Sequence, residues 1–225
     1  MTAPSHHPRV TLRATLLAVI AVGLVLLGGG LAVGLGIGRD AATATPTADS
    51  VDAGFARDMA RHHVQAVEMA NLVAGRSRDR EVEMLAFDIS STQNNQVGRM
   101  QGWLALWGLS QSGDEPMAWM GGDAHADHEM TGMDMGGNGL MPGMATEEEL
   151  ANLRGLTGTT FDVEFLRLMI RHHQGGKDMA EYAADHADVA AVRNLARSIV
   201  ETQTAETTTM VKMLTARGGT PLPAP

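Results

Sequence analysis

The residues with most chemistry to offer are two histidine pairs, His62-His63 and His172-His173. Each pair sits in a stretch of the same form. Phe55–Met69 reads FARDMARHHVQAVEM and Phe165–Met179 reads FLRLMIRHHQGGKDM, so Phe, Met, His-His and Met recur at an offset of 110 residues. Imidazole beside thioether suits copper: the soft thioether favours Cu(I), and imidazole accepts either oxidation state. His62, His63, Met59 and Met69 form one candidate ligand set, and His172, His173, Met169 and Met179 the other. The competing reading is a polar core in which the imidazoles hydrogen-bond to their neighbours and Met merely fills space.

Such residues act together only if something aligns them. On an α-helix, Phe55, Met59, His62, Ala66 and Met69 share one face, as do Phe165, Met169, His172, Gly176 and Met179. The repeat extends downstream, where Ile89, Gln93 and Met100 match Ile199, Gln203 and Met210, and upstream, where Asp52 matches Asp162. Gln93 and Gln203 therefore lie within apolar seams, and Glu206 shares the seam of Gln203. Glu206 is a candidate ligand. Gln93, Gln203, Asp178, Glu68, Asp52 and Asp162 are candidates to hold the ligands by hydrogen bonds. Met169 lies one turn before His172 and can converge with it, whereas Met179 lies about 10.5 Å further along the axis. The second pair is thus the expected primary ordered site, with Met169 the better thioether partner.

Four amphipathic helices are predicted at about Val51–Val73, Arg78–Leu106, Phe161–Ala184 and Val189–Ala216, with Trp103 and Trp107 as core anchors. Ser50 or Asp49, Thr159 or Thr160, and Asp188 are the expected caps of the first, third and fourth. Thr146-Glu-Glu-Glu149 is a capping box opening a short extra helix that Gly155 and Gly158 end. Two such hairpins bury their seams most simply against each other. The expected fold is all-α, a four-helix bundle over 51–216 built from two repeated αα-hairpins with approximate two-fold symmetry, and 217–225 is a frayed tail.

Residues 110–145 interrupt the bundle with a Gly-rich stretch lacking hydrophobic periodicity. It carries Met117, Met120, His125, His128, Met130, Met133, Met135, Met141 and Met144 among acidic residues. Spaced thioethers and imidazoles in a pliable chain can wrap a soft ion. This loop is expected to capture copper or silver without a scaffold, independently of the bundle.

The chain has 225 residues, a net charge of −9 and no cysteine. Disulfides, thiol catalysis, iron–sulfur clusters and thiol-attached haem are excluded. No basic patch points to nucleic acid. Residues 1–13 are basic, and 14–38 contain no charged residue. That segment is long enough to span a membrane, with 1–13 cytoplasmic, 39–50 a linker and the bundle outside. The alternative is a cleaved signal peptide and a secreted product.

The second repeat, Asp162-x-x-Phe165, Met169-Ile170-x-His172-His173-Gln174-Gly175, Asp178-Met179-Ala180, then Ile199, Gln203, Glu206 and Met210, resembles a bacterial domain family of unknown function, number 305 in its series. The resemblance covers both repeats, about Val51–Ala216. It implies a ferritin-like helical domain, usually exported and linked to copper binding and copper resistance. It places the family's His-His and Met positions at His62, His63, Met59 and Met69 and at His172, His173, Met169 and Met179. The first copy departs from the pattern at Arg57–Asp58 and Ala60, and has Gln96 where the second has Glu206, which implies a weaker or packing-only first site. A carboxylate-bridged di-iron centre is disfavoured, because the chain has no Glu-x-x-His motif. The leading expectation is an extracytoplasmic copper-binding buffer, scavenger or chaperone that exchanges ions with a copper exporter or a cuproprotein. The alternatives are a non-catalytic structural module and a metal-dependent oxidoreductase. No catalytic residue is assigned.

Overall fold

A computed structural model describes residues 45–113, 115–121 and 139–225. The apolar segment 14–38 and the candidate ligands His125, His128, Met130, Met133 and Met135 lie outside the described residues. Among those described, no helix is long and apolar enough to cross a membrane.

The elements are α1 (Val51–Asn71), α2 (Arg80–Trp107), a 3-10 turn (Ala118–Met120), α3 (Glu147–Gly155), α4 (Gly158–His186) and α5 (Ala190–Ala216). α1 pairs with α2 and α4 with α5, and the two hairpins meet chiefly along α1 and α4. The result is the expected all-α four-helix bundle, with α3 as an accessory. Ser50 caps α1 by accepting from Ala53 N, and the capping box at Thr146 and Glu149 is formed in both directions.

Two helix starts differ from expectation. α4 begins at Gly158 rather than Phe161, with no side-chain cap from Thr159 or Thr160. Gly158 N donates instead to Arg76 O in the α1–α2 turn, at 2.7 Å. Asp188 does not cap α5; Asp52 accepts from the backbone N–H groups of Asp188 and Val189 at 3.0 and 2.9 Å. In both cases the orphan donors of a helix start are satisfied from the other hairpin. Local sequence carries no trace of such a partner.

The core is apolar at both ends and polar in the middle. One apolar cluster holds Phe55, Met59, Met100, Leu104, Met179 and Ile199. The other holds Met69, Ile89, Phe165, Met169, Met210 and Leu214. On each long helix a buried polar residue separates the two: His62 on α1, Gln93 on α2, His172 on α4 and Gln203 on α5. α1 contributes its N-terminal half to the cluster that takes the C-terminal half of α4, so those helices run antiparallel and their imidazoles meet at the crossing. Met59 consequently lies with Met179, and Met69 with Met169.

The ends of the long loop belong to this core. Trp119, Met120 and Met141 are buried in the first cluster, and Met117 and Met144 pack against it. Asp58 Oδ2 accepts from Met117 N and Trp119 Nε1, both at 2.7 Å. Gly54 leaves room for the Trp119 indole, which a Cβ there would meet at 2.2 Å. The expectation of a loop without scaffold is therefore corrected for Met117, Met120, Met141 and Met144. At the Met117–Met120 end α1 supplies a carboxylate and a notch that turn the chain inward, and at the other end Gln65 of α1 holds Ala145 by two hydrogen bonds.

Candidate functional site

His62, His63, His172 and His173 are fully buried. The rings of His62 and His172 lie 3.8 Å apart between centroids, tilted by 38°. All four imidazoles are tethered through Nε2. His63 bonds to Gln96 Oε1 and His173 to Glu206 Oε2, each at 2.7 Å and each to a residue 33 positions on. That matched pair is the internal repeat expressed as side-chain contacts. His172 Nε2 donates to His62 O at 3.0 Å, and His62 Nε2 donates to Pro142 O at 3.1 Å.

Main-chain carbonyls and carboxylates only accept. In a neutral imidazole tethered this way the proton is on Nε2 and the lone pair on Nδ1. Burial, the dominant cause, pushes the His62 pKa down to about 4, although the Pro142 carbonyl acts in the opposite sense. Burial and the neighbouring His62 push His63 down to about 3, and burial with the other three histidines holds His172 well below its ordinary value. Nδ1 of all four rings is buried without a hydrogen-bond partner, as are both amide atoms of Gln93 and of Gln203.

This arrangement bears on the two readings of the histidines. A satisfied polar core would pair these atoms with one another, because an unpaired buried acceptor costs about 1–3 kcal/mol. Here one nitrogen of each ring is held by an acceptor and the other is bare, which is how a metal-ligating histidine is prepared. Gly176 keeps the space beside His62 open: a Cβ there would lie 3.3 Å from His62 Nδ1 and 3.2 Å from Gln203 Oε1.

Among the described residues no three His, Asp or Glu side chains form a metal-holding group. An ion in this layer would draw on imidazole and on the thioethers one turn away, Met59 before His62 and Met169 before His172. Glu206 touches His173 and steadies it from outside. Glu68 is turned away and pairs with Arg154 of α3. Asp178 is exposed. Asp52 and Asp162 lie ten residues before His62 and His172, about 15 Å along their helices; Asp52 is occupied by the start of α5. These four carboxylates do not serve the histidine layer, because helical rotation or axial distance separates them from it.

Three participants were not evident from the sequence: Pro142, Gln65 and Gly175. Gln65 Oε1 accepts from Ala145 N at 2.7 Å and its Nε2 donates to Ala145 O at 2.9 Å. A Cβ on Gly175 would lie 2.1 Å from Pro142 O. The adjacent glycines 175 and 176 inside a helical seam were the available signal, since glycine within a helix marks close approach of another group.

Residues 52–214 match the family described as Domain of unknown function (DUF305). The chain belongs to the DUF305 family. A DUF305 protein of Streptomyces coelicolor, described as secreted, is 45% identical over 78% of this chain and 99% of its own, with a TM-score of 0.68. A DUF305 fragment from Deinococcus radiodurans is 34% identical over 74% of this chain and 96% of its own, with a TM-score of 0.58. CopM in its Cu(II)-bound form is 26% identical over 74% of this chain and 97% of its own, with a TM-score of 0.52. No curated protein matches the chain.

Proposed function

We propose that this DUF305 protein binds copper outside the cytoplasm, as a buffer, scavenger or chaperone. The observation that carries the reading is the set of buried imidazoles, each tethered through Nε2 and bare at Nδ1. His62, His63, His172 and His173 are the nitrogen donors, with thioether from Met59 and Met169. Met69 and Met179, one cluster further on, serve packing or a neighbouring ion. Gln93 and Gln203 orient the ligands or a bound water. A copper-bound structure of the relative CopM supports copper over other soft ions.

The export reading rests on the uncharged segment 14–38, either retained as an anchor or removed as a signal, and on the secreted Streptomyces coelicolor relative. The loop adds thioethers: Met120 and Met141 at its packed ends, and Met130, Met133 and Met135 with His125 and His128 between them. A copper exporter or a cuproprotein is the proposed exchange partner.

The test is His172→Ala/His173→Ala, measured for Cu(I) and Cu(II) affinity by chelator competition and for the melting shift caused by copper. Loss of ligands should weaken binding by at least roughly ten- to a hundred-fold and remove most of the copper-induced stabilisation. Equal affinities and equal shifts in wild type and variant would exclude this site, even if the variant melted earlier.

A further inference from the structure

The segment from Met141 to Glu149 is seated on the bundle at the level of the histidines. Gln65 holds Ala145 by two hydrogen bonds. Arg171 of α4 donates twice to Glu149, at 2.9 and 2.7 Å. Gly143, at φ +78°, lies so close to α4 that a Cβ would meet Arg171 O at 2.4 Å and His172 Cα at 3.1 Å. Pro142 O lies equally close to Gly175, whose Cβ would overlap it. Backbone thus packs on backbone across one turn of α4, at positions where any side chain would intervene.

The consequence falls on one histidine. His172 donates to the carbonyl of the residue 110 positions earlier, His62 O. The symmetric partner of His62 would be His172 O. The strap supplies Pro142 O in its place.

The geometry points to Gly175 as a positioning residue for His62. Its missing side chain admits the Pro142 carbonyl, and that carbonyl fixes the proton on Nε2 and leaves Nδ1 for an ion. The packed end of the Met-rich loop thereby sets the ligand form of a histidine in the bundle. The copper consequence rests on the proposed function; the tautomer consequence does not.

The test uses the full chain carrying Gly175→Ala, and separately Gln65→Ala, which loosens the strap without entering the notch and so serves if the first variant fails to fold. In metal-free protein, nitrogen-15 NMR of the histidine rings should show His62 protonated at Nε2 and bare at Nδ1 in wild type. Both folded variants should lose or mix that pattern at His62 while His173 keeps its own. Cu(I) affinity by chelator competition should fall roughly ten- to a hundred-fold, as for loss of a group that orients a ligand. An unchanged His62 ring pattern in the folded variants would overturn the positioning role. A changed pattern with unchanged Cu(I) affinity would overturn the link to copper. Failure of wild type to bind copper would refute the proposed function and leave the ring measurement to decide the strap.

Discussion

His62 and His172 occupy equivalent places in two copies of one hairpin, yet their N–H groups end on different acceptors. His172 reaches the main chain of α1, whereas His62 reaches a strap that only the first copy receives. The outer histidines differ as well: His63 faces the neutral amide of Gln96 and His173 the carboxylate of Glu206. Duplication preserved the helix faces and the polar layer. Asymmetry entered where the loop docks, since Asp58 and Gln65 on α1 bind the loop while Gly175 on α4 makes room for it. The first repeat's departures at Arg57 and Asp58 both make contacts outside the helices, Asp58 with the loop and Arg57 with its first residue and the linker before α1. Arg57 donates to Ala48 O and Ser110 O, and Asp58 accepts from Met117 N and Trp119 Nε1.

The sharpest way to break this comparison is to remove what only the first copy receives. Deleting 117–144 should abolish cooperative thermal unfolding, because Trp119, Met120 and Met141 are core residues. Excising only 122–138, with a short flexible bridge, should keep the helical content and the transition. Met141→Ala and Met120→Ala should each cost about 2–5 kcal/mol in denaturant unfolding. Equal stability of the two deletions would mean that the loop ends are not part of the core.

Acid is the next largest lever. The folded pKa of His62, about 4, lies below the ordinary value near 6.5, so between those limits the unfolded chain binds the proton and the folded chain does not. Stability of the metal-free protein should therefore fall as pH drops from about 6.5 to about 4, by on the order of 3 kcal/mol from His62 alone. His63 and His172 act in the same direction. Denaturant titrations at several pH values would test it; a flat profile across that window would show that the imidazoles are not held neutral.

A smaller effect separates the outer pair. Glu206→Gln should make the second copy resemble the first and weaken copper binding roughly ten- to a hundred-fold, while Gln96→Glu should strengthen binding at the first. Chelator competition on both variants reads the difference, and identical affinities would show that the carboxylate has no part in the site. The smallest effect is expected at Glu68→Gln. Its pair with Arg154 is about two-fifths exposed on both sides and should contribute no more than about 1 kcal/mol, with copper affinity unchanged.

The 110-residue offset exposed the duplication, and helical periodicity the bundle and the inward direction of the first histidine in each pair. Periodicity reports which face a residue occupies, and the histidine layer is a matter of faces. It did not separate Glu68 or Asp178 from the site, because a side chain near the edge of a stripe can turn either way. Nor did it reveal Pro142, Gln65 or the caps given by Asp52 and Arg76. Those contacts join residues 80 or more positions apart, and the chemistry on either side looks ordinary until the fold brings it together. The packed ends of the loop escaped for a related reason: four methionines and one tryptophan without a repeat carry no local sign of the notch at Gly54 that receives the Trp119 indole.

The proposed ligation is tested most directly at the ring nitrogens. Cu(I) is diamagnetic, so histidine nitrogen-15 NMR can follow both nitrogens of each ring during a Cu(I) titration of the full chain. In metal-free protein Nδ1 of His62 and His172 should appear unprotonated and Nε2 protonated. Adding Cu(I) should move the Nδ1 resonances while the Nε2 protons remain. Copper that binds with no change at any buried Nδ1, or imidazoles protonated at Nδ1 before copper is added, would contradict a metal centre in the histidine layer.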